Sequence, residues 1–270
     1  MHYPDNVTPA QQAAWNYWGG AISLTNTQAE DYLVGRGLLK STARKELLHL
    51  DDDDPKDFYT GFTDRIARFH PSISHFNKAV YSALVVGIWK YGDPSPLPQG
   101  VQVTFLEGDK KADVDPVRIT YGKVTGGGSQ IGELQEGQNI IGLAEGFETA
   151  MSIIEMSETP IVMFTTFGTS GIATIELPPP ERVSELHIYA DGDEAGIKAM
   201  NDSIIRLKNR GYLPIPMPSK PNQDYNDILM KSLERNTNDI RAIQSRGVQT
   251  RDEGDIPESD NRGKEIQASF

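Results

Sequence analysis

Cysteine is absent from the 270-residue chain. That excludes disulfides, thiolate zinc sites and cysteine nucleophiles. Histidine is scarce as well: the five lie at positions 2, 49, 70, 75 and 187, without the close spacing of a metal site. No apolar run is long enough to span a membrane. The opening stretch MHYPDNVTPAQQAAW lacks the basic-then-apolar order of a signal peptide, so no membrane association and a cytoplasmic location are expected. Positive charge is in short supply, with 26 Lys and Arg against 38 Asp and Glu and a formal net charge of −12. A protein that coats nucleic acid by bulk charge is usually basic. The acidity leaves room for an enzyme whose carboxylates carry cations, because bound metals invert the local sign. A hydrophobic content of 37% is enough for a sizeable core.

What is present falls into four stretches. Residues 1–25 are polar, with Trp15, Trp18 and a Gly-Gly pair, and are expected to be an irregular lead-in. Residues 26–138 read as a smaller α+β lobe. In TNTQAEDYLVGRGL, Thr25 or Thr27 caps a short helix that buries Tyr32 and Leu33 and stops at Gly35 and Gly37. DDDDPKD is a solvated loop, and AVYSALVVGIW and VQVTFLEGDKK are strands around the loop DPSPLPQG. The glycines at 126–128 are expected to form a flexible crossing to the next lobe. Over 139–240 the rhythm becomes strand, helix, strand, helix: NIIGLAEG, FETAMSIIEM, PIVMFTT, GTSGIATI, ELHIYAD, EAGIKAMNDSIIRLKNRG, the proline-weakened YLPIPMP and DYNDILMKSLERN. This predicts an α/β domain with a roughly four-stranded parallel sheet flanked by helices. Residues 241–270 are acidic and poor in apolar side chains, and are expected to be disordered.

Ligands of open parallel sheets bind beyond the carboxyl ends of the strands. NIIGLAE ends at Glu145, and ELHIYAD ends at Asp191, with Asp193 next but one. Parallel strands bring those ends to one side, so the three carboxylates can converge. Asp224 and Asp227 open the helix after the fourth strand and can reach the same rim. Hard oxygen ligands at an open rim suit magnesium or manganese, which keep several waters and take further ligands from phosphate. Two such ions clamp the attacking and leaving oxygens in phosphodiester chemistry. The competing reading is structural, since Asp193 or Glu194 can cap the helix that begins near Ala195. A lone Asp-x-Asp favours the cap; its combination with Glu145 and the third acidic cluster favours a metal site. Lys110, Lys111, Arg118 and Lys123 form either a basic patch for template backbone or nucleoside triphosphate, or a solvated hairpin face with acids interleaved. FGTSG offers backbone N–H groups to a phosphate or is a plain turn and cap. Arg36 reads as a helix-end charge and His70 as a packing or turn histidine.

Taken in order, LAEGFETAMSII, TTFGTSGIATI, LHIYADGDEAGIKAM and QDYNDIL resemble the Toprim domain, in the version found in DnaG-type, phage and plasmid primases. The upstream stretches YLVGRGL, RFHP, SALVVGIW, TFLEGDKKA and VDPVRITYGKVTGGG resemble the primase-associated region of mobile-element proteins. The resemblance spans roughly residues 30–230. It implies a two-lobed catalytic core that makes short RNA primers on single-stranded DNA by metal-dependent phosphoryl transfer, in a phage or plasmid replication system. Glu145 then matches the acid that serves as metal ligand or general acid/base. Asp191 and Asp193 match the principal metal ligands, with Asp224 a further one and Asp227 beside it. Gly168, Thr169 and Ser170 match a Leu-Gly-Thr-Ser element, and with Lys110, Lys111, Arg118 and Lys123 they make up the expected nucleotide and DNA contacts. The implied cofactors are two or more Mg2+ or Mn2+ ions and no zinc. The implied partners are single-stranded DNA and ribonucleoside triphosphates. A cysteine-free chain builds no zinc module, and no GxxxxGK[ST] phosphate loop occurs, so a separate replicative helicase is implied as well. The alternatives are a Toprim nuclease using the same acids to activate water, and a non-catalytic replication subunit that binds helicase or single-stranded DNA.

Overall fold

The computed structural model describes residues 7–39, 66–221 and 223–235. The Asp51–Asp54 run and the tail from 241 lie outside them. Met1–Lys231 form one compact unit and Ser232–Phe270 a second, described only over 232–235. Among the described residues no helix is long and apolar enough to cross a membrane.

Over its described residues, 7–25, the stretch expected to be an irregular lead-in is largely helical. Helix α1 runs Pro9–Gly20, with the Thr8 hydroxyl accepting from the Gln11 N–H and Pro9 in the first turn, where a missing N–H costs nothing. The polar texture hides a Thr-Pro start signal and an inward face made by Ala14 and Trp18. Helix α2, Gln28–Gly35, is capped by Thr27 and buries Tyr32 and Leu33, as its sequence predicts.

The upstream sheet is antiparallel. Strands β1 (Ala67–Ser74), β2 (Val80–Lys90) and β3 (Gly100–Glu107) pair in turn, and β4 (Lys110–Lys111) and β5 (Arg118–Gly122) both pair with β3. Alternate residues Ala83 and Val85 of β2 and Val101, Val103 and Phe105 of β3 form a core with Ala14 and Trp18 of α1.

The triple glycine is not a flexible crossing. Gly127–Ile131 form strand β6, which pairs with the end of β2 through Trp89 and Lys90 and with β8 (Val162–Thr165) through Ser129, Gln130 and Ile131. It joins both sheets into one ten-stranded sheet. Glycine is required by the close approach: a Cβ on Gly128 would lie 2.4 Å from the Thr165 carbonyl oxygen and 2.7 Å from Ile175 Cδ1.

Strands β7 (Asn139–Ala144), β8, β9 (Val183–Gly192) and β10 (Pro214–Pro221) are parallel, in the order β8-β7-β9-β10. This bears out the mixed α/β fold with a parallel sheet flanked by helices. The crossovers are α3 (Phe147–Met156), α4 (Thr169–Thr174) and α5 (Glu194–Asn209), and a further helix, α6, is described over 225–235. Right-handed crossovers send α3 to one face and α4 and α5 to the other. The core agrees: Ile141, Leu143, Phe164 and Ile188 pack with Ile172, Met200 and Leu207, and no residue of α3 belongs to that cluster. The proline-rich β10 lies at the sheet edge, where prolines are tolerated.

Candidate metal and nucleotide site

The chain leaves β7 for β8 on one side and returns to β9 on the other. The carboxyl ends of β7 and β9 therefore flank a switch point, the usual ligand crevice of an open parallel sheet. Ala144, the last residue of β7, pairs with Tyr189. Glu145 thus follows β7 at the level where β9 runs on to Asp191.

The two glycines of YADGDEAG have packing roles. A Cβ on Gly192 would lie 2.2 Å from the Lys220 carbonyl oxygen of β10, and one on Gly196 would lie 2.5 Å from the Asp191 carbonyl oxygen. They let β9 run close to β10 and let α5 begin tight against the strand end. Asp193 is the N-cap of α5, its Oδ1 accepting from the Gly196 N–H at 2.6 Å. Asp224 accepts from the Asp227 N–H at 2.7 Å and so opens α6 in the same manner. Tyr225 holds that helix against β9 and β10: its hydroxyl donates to the Met217 carbonyl at 2.7 Å and its ring meets Tyr189 edge-on.

The acids act on one another. Burial raises the pKa of Glu145, and Asp191 and Asp193 raise it further, while Arg118 works against them. Asp191 is raised by burial, then by Asp224 and Asp193; Arg118 lowers it and Asp227 adds a smaller upward push. All five predicted acids thus share one electrostatic neighbourhood. Glu145 and Asp191 line a small cleft with Thr149, Ile172, Tyr189 and Gly196. A cavity of about 280 Å3 lined by Trp89, Tyr91, Ser129, Phe164 and Glu176 holds none of them.

Among the described residues no group of three or more His, Asp or Glu side chains is close enough to hold one metal ion. The donor set still suits magnesium, which is commonly held by one or two carboxylates, with water and substrate phosphate completing the shell. Mutual repulsion at Glu145 and Asp191 is what a cation relieves.

Residues 140–235 match the Toprim domain family. This segment is a Toprim domain. Residues 8–131 match a domain of unknown function, DUF7146. No curated protein matches the chain. Among solved structures, the DnaG catalytic core is similar at 14% identity and a TM-score of 0.48, over 82% of this chain and 74% of that one. A DNA primase domain from Pseudomonas aeruginosa gives 15%, 0.45, 83% and 75% in the same order. The primase fragment of the bacteriophage T7 primase-helicase protein gives 17%, 0.45, 86% and 79%.

Beside the Toprim acids, the predicted basic patch divides. Lys111 and Arg118 converge on Glu148 of the Toprim helix α3: Lys111 Nζ lies 2.9 Å from Oε2, and Arg118 Nη2 donates to Oε1. Arg36 joins them, with Nη2 3.3 Å from Oε2. Lys110 and Lys123 are exposed and take no part; Lys123 follows the far end of β5 from Arg118. Gly168 precedes α4, whose first turn holds the Thr169 and Ser170 backbones.

Two residues escaped the sequence reading. Glu148, 7% exposed, is the anion that gathers three cations. Asn226, 2% exposed, donates through Nδ2 to the Arg36 carbonyl at 2.8 Å and to Ser152 Oγ at 3.1 Å, tying α6 to α2 and α3. A signal for Glu148 did exist: α3 is apolar at Phe147, Ala150, Met151, Ile153 and Ile154, so nearly its whole circumference is buried, and an acid in its first turn among those residues needs a cation.

Proposed function

We propose that this protein is a DnaG-like primase, a nucleotidyltransferase that joins ribonucleotides into short RNA primers on single-stranded DNA. The observation that carries the reading is the meeting of Glu145 and Asp191 at the Toprim switch point with Arg118 from the upstream lobe in the same field. That sets an acidic edge for cations within electrostatic reach of a guanidinium for phosphate. A nuclease needs the acids but no second lobe that brings cations to them.

In this reaction a primer 3′-oxygen forms a bond to the α-phosphorus of the incoming triphosphate, and the bond from that phosphorus to the β-phosphate bridge breaks, releasing pyrophosphate. Mg2+ or Mn2+, when bound, lowers the pKa of the attacking hydroxyl and neutralises charge on the phosphates. Asp191 and Asp193 are its principal holders; Asp193 keeps Oδ2 for this while Oδ1 caps α5. Asp224 and Asp227 add charge at the β10 side. Glu145, whose pKa is raised, takes the hydroxyl proton or adds a ligand. Lys111 and Arg118 meet the triphosphate, with the Gly168, Thr169 and Ser170 backbone at its edge, and Lys110 and Lys123 contact the template. More than one ion, a separate helicase partner, a phage or plasmid system and action in a host cytoplasm belong to the same proposal.

The test is incubation with single-stranded DNA, ribonucleotides and Mg2+ or Mn2+. Short RNA products that disappear in Asp191→Asn support the reading. Shortened DNA without new RNA points to a nuclease, and retained DNA or helicase binding with neither product points to an accessory subunit.

A further inference from the structure

Glu148 lies three residues beyond Glu145, yet its surroundings are opposite in sign. Arg36 comes from the end of α2, Lys111 from β4 and Arg118 from β5, and all three meet this one carboxylate. The Tyr32 hydroxyl is buried beside it, its pKa raised by burial and then by the Glu148 charge, and the Lys111 ammonium lies 5.9 Å from the Tyr32 ring centroid. Burial alone would raise the pKa of Glu148, but Arg118 and Lys111 outweigh it and hold the carboxyl below the ordinary value of 4.5.

One carboxylate needs one cation. Three leave a local excess of positive charge in a chain whose net charge is −12. That excess sits beside the acidic edge, since Arg118 lowers both Glu145 and Asp191. The Arg118 side chain is 39% exposed and the Lys111 side chain 29% exposed, whereas the Glu148 side chain is 9% exposed. The anion is therefore inside, and the Lys111 and Arg118 side chains remain partly open to solvent. A guanidinium has five N–H donors in a fixed fork, and Glu148 engages Arg118 through Nη2.

We infer that Glu148 is a positioning residue: its buried carboxylate fixes Lys111 and Arg118 as a seat for the phosphates of an incoming nucleoside triphosphate. The inference rests on the nucleotidyl-transfer reading above. It assigns Glu148 no contact with substrate and makes its effect pass through the two cations.

The experiment measures ATP binding by calorimetry with Mg2+ and no template, and KM and kcat in primer synthesis, for wild type and Glu148→Gln. Circular dichroism melting confirms the fold of each. Glutamine keeps the shape and removes the charge. The expected result is a rise of about tenfold in ATP Kd and nucleotide KM, the scale typical of losing a group that orients a ligand-binding side chain. kcat stays within about twofold, and Mn2+ affinity, read by electron paramagnetic resonance, is unchanged. In an Arg118→Ala, Lys111→Ala background Glu148→Gln adds nothing further, because its effect has lost its carriers. Should Glu148→Gln fail to fold, Glu148→Asp serves: one methylene short, it cannot reach both cations, and its Kd rises in the same direction by a smaller factor. Wild-type Kd and KM in a folded variant, or additive losses in the combined variant, overturn the inference while leaving primer synthesis standing. A wild-type protein that binds no ATP and makes no primer overturns the reading and the inference with it.

Discussion

At the scale of single residues, two neighbouring acids respond oppositely to pH. Glu148 is held below its ordinary pKa, so its contribution to stability is fully present above about pH 4.5 and is lost as pH falls through the lower folded value. Glu148→Gln should therefore destabilise the protein near neutrality by about 2 kcal/mol, because it leaves three half-buried cations without their anion. The difference from wild type should shrink steadily below pH 4.5. Urea unfolding of both proteins from pH 7 to pH 3 checks this; a difference that does not change with pH means that packing rather than charge is responsible. Asp191 stands on the other side, raised by burial and by Asp224 and Asp193. Asp191→Asn should melt at a higher temperature than wild type in EDTA, since it removes repulsion. Mg2+ should raise the melting temperature of wild type and leave the variant unmoved. Primer synthesis should fall by roughly a hundredfold or more, given the several kcal/mol that a metal supplies to such transition states.

At the scale of elements, β6 and α6 hold the site together and were legible to different degrees. Gly128→Ala would place a methyl against the Thr165 carbonyl and Ile175, and the overpacking should cost about 1–3 kcal/mol, seen as a lower urea midpoint with an unchanged slope. Asn226→Ala removes the bonds to the Arg36 carbonyl and to Ser152 and should cost about 1–3 kcal/mol by the same measurement. The alternating strands and helices from Asn139 onward could be read because their periods and end signals are local. The Thr27 cap, the stop at Gly211 and the acids at the ends of β7 and β9 were legible for the same reason. Strand β6 was not, because a glycine run carries no apolar alternation; its pairing is written in Trp89 and Thr165, which are distant in sequence. For Glu148 the sequence marks a buried acid in need of a cation but not which cations, because its partners stand at 36, 111 and 118. For Asp193 the cap reading is realised in the bond to Gly196, and a metal role must use its other oxygen.

At the scale of the whole molecule, the proposed primer synthesis requires an acidic chain to concentrate its few cations where phosphate arrives. The upstream lobe supplies Lys110, Lys111, Arg118 and Lys123 on β4, β5 and the turn after β5, and Arg36 at the end of α2. Two of the four predicted DNA contacts, Lys111 and Arg118, are partly neutralised by Glu148. Neutralising Z phosphates of a single strand gives a salt slope of about −0.7Z. Four cations therefore set a limit of about −3, and the single charge of Glu148 offsets one of them, which brings the expected slope to about −2. Fluorescence anisotropy with a labelled single-stranded DNA, titrated at several salt concentrations, measures it. Affinity should rise with Mg2+, because the carboxylate edge repels the backbone until cations occupy it, and Asp191→Asn should weaken that dependence. A slope steeper than about −5 would mean an extended basic track that these residues do not form, and would move template binding to another surface.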